Sequence, residues 1–317
     1  MQIKSVKTLC SLAICLTISF LISENLSAQR PEYLRKDSII SKMDGASDVF
    51  YYVPAVVGDP QPLVVELHSW SNSSSSQNEI LAQEVHQKGW NYILPNFRGV
   101  NNTVKACCSE FALSDIDQTI DWAIKNLNVD RKRIYIAGYS GGGYATFAMF
   151  MKSRHKIADF SAWCGISDLV AWYDQSLERK NKYGPEILLC TGSGSSLDVE
   201  KAKSRSPLFW KTPVKKRKKS FIQIYAGIHD GHTGSVPISQ SLLFYNKIIE
   251  DAGNKDPKVF ASNEEIQDLL NESEQYSTGK SIQGRAVRFE KKYKNISICI
   301  FEGGHYILRK AAIEQLK

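Results

Sequence analysis

A glycine-crowded turn constrains this chain more than any other segment. An apolar, β-branched run at residues 134–136 enters the turn at residues 138–142, which reads Gly-Tyr-Ser-Gly-Gly, and an apolar helix-forming run leaves it. A serine at the tip of such a strand-to-helix turn has its hydroxyl lifted clear of the backbone, and the next helix points its first amides at the same place. The segment predicts a nucleophile, Ser140, and an oxyanion donor, the amide of Gly141. Because the motif has two free positions, the alternative is a turn whose serine only caps the helix.

The N-terminus has the pattern of a secretory signal peptide. Two lysines give it a basic start, an apolar run follows at residues 9–22, and small residues precede Ala28. The apolar run is short for a membrane span, although an uncleaved anchor is the alternative. We expect residues 1–28 to be removed and residues 29–317 to form a single catalytic domain that is exported to the periplasm or secreted, without a stable membrane span.

The charge of the chain is moderately basic. The formal net charge of +7 becomes +6 when Lys4, Lys7 and Glu24 are removed. The basic run at residues 211–219 is typical of a solvated surface loop, and no arginine and aromatic pattern for stacking bases accompanies it, so nucleic acid is not an expected partner. If the run flanked the active site, an acidic polysaccharide such as pectin would be an attractive substrate. No Cys-x-x-Cys or His-x-x-x-His spacing is present, and we expect neither a metal nor another cofactor.

Five cysteines follow the expected cleavage site: Cys107, Cys108, Cys164, Cys190 and Cys299. In an oxidising compartment some of them could pair, and the odd number leaves at least one free. Cys107 and Cys108 could form a vicinal disulfide or pair elsewhere, whereas buried free thiols are the alternative for Cys190 and Cys299. The sequence leaves the pairing open, as it does the oligomeric state.

Strand patterns alternate with helical patterns along the rest of the chain. Strands are expected at residues 63–68, 92–97, 134–136, 160–164, 221–226 and 296–301. A helix capped by Ser114 should carry Asp115 and Asp117 in its first turn, and another helix is expected at 238–250. The alternation predicts an α/β fold with a mostly parallel central sheet and helices on both faces. The run at 48–53 alternates like a half-buried strand and predicts an antiparallel edge.

Two polar side chains follow the last two of these strands, where reactive groups of a parallel sheet gather. Asp230 follows one strand, and His305 follows the next after two glycines. The chain order Ser140, Asp230, His305 is typical of a catalytic triad. In that chemistry His305 takes the serine proton and later protonates the leaving group, while Asp230 fixes the imidazole tautomer.

Other residues compete for these roles. Asp168 also follows a strand and is the alternative acid, because an aspartate before glycine, such as Asp230, is common in turns. His229 and His232 could replace His305 as the base, although their adjacency to Asp230 favours a loop or pocket role. We prefer Asp230 and His305.

A second oxyanion donor is expected in the loop after the 63–68 strand, at the backbone amide of Trp70 or Ser69. Further side chains at strand ends could bind substrate or could simply pack beneath the site: Arg98, Tyr139, Trp163, His229 and His232. Aromatic faces suit sugar rings, and Arg98 could meet a carboxylate.

These motifs together resemble the prolyl oligopeptidase-like branch of the α/β-hydrolases, which includes many secreted bacterial esterases of polysaccharide decorations. The similarity extends from the 63–68 strand through Asn-Phe-Arg-Gly at 96–99 and the Ser140 turn to Gly-Gly-His at 303–305. Two features depart from the branch. The gap between Asp230 and the next Val-Pro pair is lengthened, and too little chain precedes the first strand to build the β-propeller of the oligopeptidases.

The resemblance implies an exported serine hydrolase of the α/β-hydrolase fold that forms an acyl-enzyme on Ser140. Without a propeller to limit substrate size, we favour carboxylic esters, with acetyl, methyl or aromatic groups on a polysaccharide. The alternative is a serine peptidase that acts on short peptides, and a non-catalytic binding protein would have lost one of the three residues. Residues 254–285, hereafter the insert, interrupt the last crossover with a polar, partly helical segment that could be a flap or a partner surface.

Overall fold

The computed structural model describes residues 30–56, 58–76, 79–273 and 275–317. The expected signal peptide lies outside the described residues. The chain divides into two units, residues 1–34 and residues 35–317, and the second unit contains every element discussed below.

A single sheet of ten strands runs through the described part of the chain. The strands are β1 (Arg35–Ile40), β2 (Ser47–Val53), β3 (Gln61–Leu67), β4 (Asn91–Pro95), β5 (Val129–Tyr139), β6 (Asp159–Trp163), β7 (Phe221–Gly227), β8 (Ser281–Ile282), β9 (Arg285–Tyr293) and β10 (Ile296–Phe301). Their lateral order is β1-β2-β4-β3-β5-β6-β7-β10-β9-β8. The six strands from β4 to β10 in this order pair in parallel, and the two strands at each edge pair antiparallel. The predicted mostly parallel sheet is confirmed, with antiparallel strands added at its edges.

Nine α-helices of the described residues lie in the connections between strands, and a tenth follows the last strand. They are α1 (Ala82–Gln87), α2 (Glu110–Asn126), α3 (Gly141–Lys152), α4 (Leu169–Glu178), α5 (Tyr183–Thr191), α6 (Val199–Ser204), α7 (Val214–Arg217), α8 (Ser239–Asp251), α9 (Asn263–Leu270) and α10 (Arg309–Glu314). Helix α3, which follows the Ser140 turn, is buried along almost its whole length. Within the described residues, no helix is both long and apolar enough to cross a membrane.

The start of α2 differs from the prediction. Ser109, not Ser114, caps the helix, and its hydroxyl oxygen accepts a hydrogen bond from the Ala112 amide at 3.1 Å. Asp115 therefore lies inside the helix, fully buried, where the guanidinium of Arg98 and the hydroxyl of Ser41 donate to its carboxylate. A charge pair over a long sequence separation allows an aspartate to be buried in a helix, so its presence does not mark the first turn.

Strand β2 is antiparallel as expected, but it is not the edge of the sheet. Strand β1 pairs with the outer side of β2. Most residues of β1 are exposed and polar, so the sequence shows no apolar alternation there. The insert contains the helix α9, as predicted, and it also contains the two-residue strand β8, which pairs with β9 at the other edge.

The basic run at 211–219 lies away from the carboxyl end of the sheet. It contains α7 and immediately precedes the amino end of β7, whereas Asp230 follows the carboxyl end of that strand. Lys215 and Lys218 of this run border a groove of about 520 Å³ that is also lined by Phe221 and Ile296, the first residues of β7 and β10. The basic run therefore does not flank the expected active site. It gives no support for an acidic polysaccharide as substrate.

Arg217 is the buried basic residue of this run. Its guanidinium donates hydrogen bonds to the backbone carbonyls of Met149, Phe150, Ser153 and His155 at 2.7–3.1 Å, at the carboxyl end of α3. Burial lowers the pKa of Arg217 to about 10.

The five cysteines of the described residues are free and buried. The sulfur of Cys107 lies 3.6 Å from the hydroxyl of Tyr144, and burial raises the pKa values of the Cys108 and Cys190 thiols. This arrangement fits the interpretation of buried thiols that act as small apolar side chains.

Candidate active site

The turn between β5 and α3 holds Ser140 in an unusual backbone conformation. Its φ is +59° and its ψ is −122°. Such a conformation costs on the order of 1–3 kcal/mol in a non-glycine residue and persists only where the surroundings enforce it. Here the Ser140 amide donates to the Trp163 carbonyl at 2.9 Å, and the Ser140 carbonyl accepts from the Tyr144 amide at 2.9 Å.

Glycines allow the chain to pass this turn. A Cβ at Gly142 would lie 2.0 Å from the Leu67 carbonyl oxygen, and a Cβ at Gly143 would lie 2.5 Å from the Trp163 carbonyl oxygen. Both obstacles are backbone atoms of neighbouring strands, which cannot move aside. The glycines let α3 start directly against the sheet, with the serine at its amino end.

Ser140, His305 and Asp230 form one chain of hydrogen bonds. His305 Nε2 lies 2.9 Å from Ser140 Oγ, and His305 Nδ1 lies 2.7 Å from Asp230 Oδ2. A carboxylate only accepts hydrogen bonds, so the Nδ1 proton is the one donated to Asp230 and the Nε2 lone pair is left to accept from the serine hydroxyl. The three residues that the sequence selected thus meet in the order that proton transfer requires.

The surroundings hold the Asp230 side chain in place. It is fully buried, and its second oxygen, Oδ1, accepts from the Val236 amide at 3.1 Å. Gly234 crosses next to this pair, since a Cβ there would lie 2.3 Å from Asp230 Oδ1 and 2.5 Å from His305 Cβ. The lengthened gap therefore packs against the carboxylate through Gly234, and the Val236 amide of the Val-Pro pair donates to it. Asp168, the alternative acid, instead accepts from the Val170 and Ala171 amides at the start of α4.

The backbone amides of Gly141 and Trp70, the expected oxyanion donors, belong to two segments that pack against each other next to Ser140. Gly141 packs directly on the loop after β3, because a Cβ at Gly141 would lie 2.2 Å from the Trp70 nitrogen. The Trp70 amide donates to no acceptor among the described residues. The Trp70 side chain is buried, and its Nε1 donates to Glu186 Oε2 at 2.8 Å. The side chain anchors the loop and leaves the amide available.

Tyr139 is the expected pocket residue that lies beside the histidine. Its ring centroid is 5.6 Å from that of His305, and the residue is half-buried. Burial raises the pKa of the Tyr139 hydroxyl, so it stays protonated and can donate a hydrogen bond.

Arg98 and Trp163 do not have the binding roles expected of them. The Arg98 guanidinium donates to the carboxylates of Asp44 and Asp115, and its charge is thereby used inside the protein. The Trp163 side chain is fully buried, stacks on Tyr225 with centroids 4.1 Å apart, and donates to Ser161 Oγ. Of Trp163, only the backbone carbonyl takes part in the turn at Ser140.

His229 and His232 lie in the loop with Asp230 but make other contacts. His229 faces two carboxylates, with Nδ1 2.6 Å from Glu272 Oε1 and Nε2 2.6 Å from Glu302 Oε1. His232 Nε2 lies 2.8 Å from the carbonyl oxygen of Leu270. Neither ring is bonded to Ser140, so the geometry favours His305 over both as the base.

Several neighbours of the site had no signal in the sequence. Trp172 of α4 and Tyr183 of α5 stack with centroids 4.9 Å apart, and Trp70 meets the Trp172 ring edge-on at 4.8 Å. From helical spacing alone, Trp172 and Tyr183 would be predicted to be ordinary core residues. Their position beside Trp70 depends on how α4 and α5 fold back over the sheet.

A metal is poorly accommodated among these residues. Ligand atoms of Cys164, Asp230 and His305 lie within 4.8 Å of one another. Metal binding would need a thiolate at Cys164. Burial and then the nearby Asp230 charge raise the pKa of that thiol, and Asp230 and His305 are already bonded to each other. These three residues are better described as a hydrogen-bonded aspartate–histidine pair next to a neutral thiol than as a metal site.

A mostly parallel sheet that brings a serine, an aspartate and a histidine together at its carboxyl edge is the arrangement of an α/β hydrolase. Family comparison adds the particular group within this class. The chain belongs to the BD-FAE family, whose family model matches residues 49–248.

One relative of this chain is a bifunctional enzyme with an esterase activity. The chain is 26% identical over 121 residues to the bifunctional acetylxylan esterase/xylanase XynS20E of Neocallimastix patriciarum. The match covers 37% of this chain and 18% of that protein, so this chain spans only a small part of the relative's length.

Solved structures of peptidases share the fold. An acylaminoacyl peptidase in complex with Z-Gly-Gly-Phe-chloromethyl ketone superposes with a TM-score of 0.59 at 18% identity, over 90% of this chain and 40% of the peptidase. A puromycin-hydrolyzing peptidase of Mycobacterium tuberculosis gives a TM-score of 0.57 at 17% identity, over 89% of this chain and 37% of the peptidase. At this identity the likeness concerns the fold alone.

Proposed function

We propose that this protein is an exported serine hydrolase that cleaves carboxylic esters, with Ser140, His305 and Asp230 as its catalytic triad. The observation that carries the proposal is the hydrogen-bond chain from Ser140 Oγ through His305 to Asp230, at 2.9 Å and 2.7 Å. The proposed fold is the α/β-hydrolase fold, with helices on both faces of the sheet. Export depends on the pattern of residues 1–28, and N-terminal sequencing of the protein recovered outside the cytoplasm tests it.

The mechanism follows from these distances. Nε2 of His305 takes the proton of Ser140 as Oγ attacks the ester carbonyl, and Asp230 stabilises the imidazolium that results. The oxyanion is received by the amides of Gly141 and Trp70, and one such donor typically contributes about 3 kcal/mol of barrier lowering. His305 then protonates the departing alcohol, which leaves an acyl group on Ser140. Water, activated by the same histidine, releases the acid.

Esters are favoured over peptides by family and by chemistry. Membership in the BD-FAE family and the similarity to an acetylxylan esterase support an ester substrate. An alcohol also leaves with less help from the general acid than an amine does. We propose a polysaccharide with acetyl, methyl or aromatic esters as substrate, since the half-buried Tyr139 and Tyr183 can lie against sugar or aromatic rings. Short-peptide hydrolysis is the alternative.

A substrate panel with two serine variants tests the proposal. The substrates are 4-nitrophenyl acetate, acetylated xylan, methyl ferulate, and 4-nitroanilides of alanine and proline. We expect Ser140→Ala to lower kcat on the esters by about 10⁴-fold or more, as loss of the nucleophile does in serine hydrolases. Ser38→Ala, at an exposed serine of β1, is the matched control and should retain full activity.

The same samples identify the nucleophile and the bond cleaved. A fluorophosphonate label, located by peptide mass spectrometry, should be found on Ser140 in the wild type and should be missing from Ser140→Ala. Labelling at another serine, or unchanged ester turnover in Ser140→Ala, contradicts the proposal. Faster cleavage of the anilides than of the esters would favour the peptidase alternative.

A further inference from the structure

His229 connects three segments around the Asp230–His305 pair. It directly precedes Asp230, and its Nε2 lies 2.6 Å from Oε1 of Glu302, which is three residues before His305. Its Nδ1 lies 2.6 Å from Oε1 of Glu272, in the insert. One side chain thus joins the loop of the acid, the loop of the base and the insert.

The geometry favours a positive charge on His229. Both ring nitrogens face carboxylate oxygens, which only accept hydrogen bonds. A neutral imidazole has one N–H and would turn a lone pair toward one of the two carboxylates, whereas an imidazolium donates to both. The hydrogen bonds to Glu272 and then to Glu302 raise the pKa of His229.

The charges around this cluster balance when His229 is protonated. Arg288 Nη1 approaches the other oxygen of Glu302 at 3.3 Å, and Arg288 Nη2 donates to the Ser273 carbonyl. Two carboxylates therefore face two cations. On the same loop, the His232 ring faces the Leu270 carbonyl of the insert and no carboxylate among the described residues. Deprotonation of His229 leaves one cation for Glu272 and Glu302 together.

Backbone hydrogen bonds already join the two catalytic loops on one side. The His229 amide donates to the Gly303 carbonyl, and the Ile228 amide donates to the Phe301 carbonyl, each at 2.9 Å. The His229 side chain closes the same junction from the other side and attaches it to the insert. Both loops lead to Asp230 and His305, so a change at this junction would displace the two side chains relative to each other. A displacement of about 1 Å can lower the rate of catalysis on the order of 10²-fold.

We propose that the His229 imidazolium is a positioning residue that holds the acid loop, the base loop and the insert together, so that activity falls on the alkaline side as His229 loses its proton. This inference depends on the proposed hydrolase function. It gives the insert a role as the outer support of the catalytic loops. Because protonation is favoured in the folded protein, the contribution of this cluster is complete just below the ordinary pKa of histidine and is lost as the pH rises through the raised pKa of His229.

The pH dependence of kcat/KM for 4-nitrophenyl acetate tests this role. We expect the wild type to lose activity on the alkaline side. Glu272→Gln should move that loss to lower pH, because one of the two carboxylates that favour the proton is gone. His229→Gln should abolish the alkaline loss and lower the plateau by about tenfold, since the loops are less well positioned. Glu264→Gln, at an exposed glutamate of the insert, is the matched control for Glu272→Gln and should follow the wild type.

A second measurement does not need activity. Imidazole nitrogen NMR in the Ser140→Ala variant follows the protonation of His229 directly, with and without Glu272→Gln. A lower titration pH for His229 in the double variant supports the cluster, and an unchanged titration overturns it. An alkaline loss that persists in His229→Gln also overturns it. Failure of the hydrolase proposal would instead be seen as unchanged ester turnover in Ser140→Ala, while the NMR result stands.

Discussion

The loops after β6 and β7 each present an aspartate, and they use it in opposite ways. Asp168 follows β6, and its Oδ1 accepts from two amides at the start of α4, at 2.8 Å and 3.2 Å. Asp230 follows β7 and accepts from His305 at 2.7 Å. The first carboxylate caps a helix, and the second holds a histidine.

The order of the strands explains this difference. His305 follows β10, and β10 pairs with β7, so Asp230 is on the neighbouring strand. β7 separates β6 from β10, which places Asp168 one strand further away. Position along the chain does not contain this information, because both aspartates simply follow a strand. Lateral neighbourhood in the sheet decides which acid can reach the base.

Asp230→Asn is the strongest test of this comparison. The side-chain amide can donate a hydrogen bond to the Nδ1 lone pair and so favour the wrong tautomer of His305, and we expect kcat for 4-nitrophenyl acetate to fall by about 10⁴-fold. The melting temperature should stay close to that of the wild type, because the side chains have the same shape. Asp168→Asn is the matched variant and should change kcat by less than about twofold, since asparagine caps helices as well as aspartate does. The reverse ranking of the two variants would make Asp168 the acid.

Gly234→Ala tests how closely the β7 loop fits around its aspartate. The added methyl group would lie 2.3 Å from Asp230 Oδ1, so it must push the carboxylate away from His305. We expect kcat/KM to fall by roughly 10²-fold, the cost of a displacement of about 1 Å. Gly194→Ala is the control, since a Cβ there meets nothing within 4 Å. Equal activity of the two variants would indicate that the loop is not tightly fitted.

Asp168→Ala should have the smallest effect and should act on stability alone. Loss of the cap at α4 should lower the free energy of unfolding by about 1 kcal/mol, measured by urea denaturation, with kcat unchanged. Asp168→Asn should restore the stability, because its side-chain oxygen can accept from the same amides. A drop in kcat that exceeds the loss of folded protein would mean that the β6 loop also serves the reaction.

The sequence located the central strands and the order of the site residues because both leave local patterns. Apolar runs mark the buried parallel strands, and Ser140, Asp230 and His305 stand directly after three of them. The edge strand β1 left no such pattern, because its residues are mostly exposed and polar. Strand β8 has two residues, too few to form any period.

The direction of the side chains at the strand ends could not be predicted from local sequence patterns. Arg98 points to Asp44, which lies 54 residues earlier in the chain. Trp163 stacks on Tyr225 because the register of β6 and β7 sets these two residues side by side. In both cases a partner that is distant in sequence decides whether a side chain faces the substrate or the protein.

Arg217 has an electrostatic consequence for Ser140, the proposed nucleophile. Helix α3 is a dipole whose positive end is at Ser140 and whose negative end is the group of carbonyls that Arg217 binds. A pKa of about 10 keeps this buried guanidinium charged at neutral pH, so it acts as a fixed counterion for the negative end. The buried arginine of the basic run thus compensates the far end of the helix, and the field of the near end is left facing Ser140 and the proposed oxyanion site.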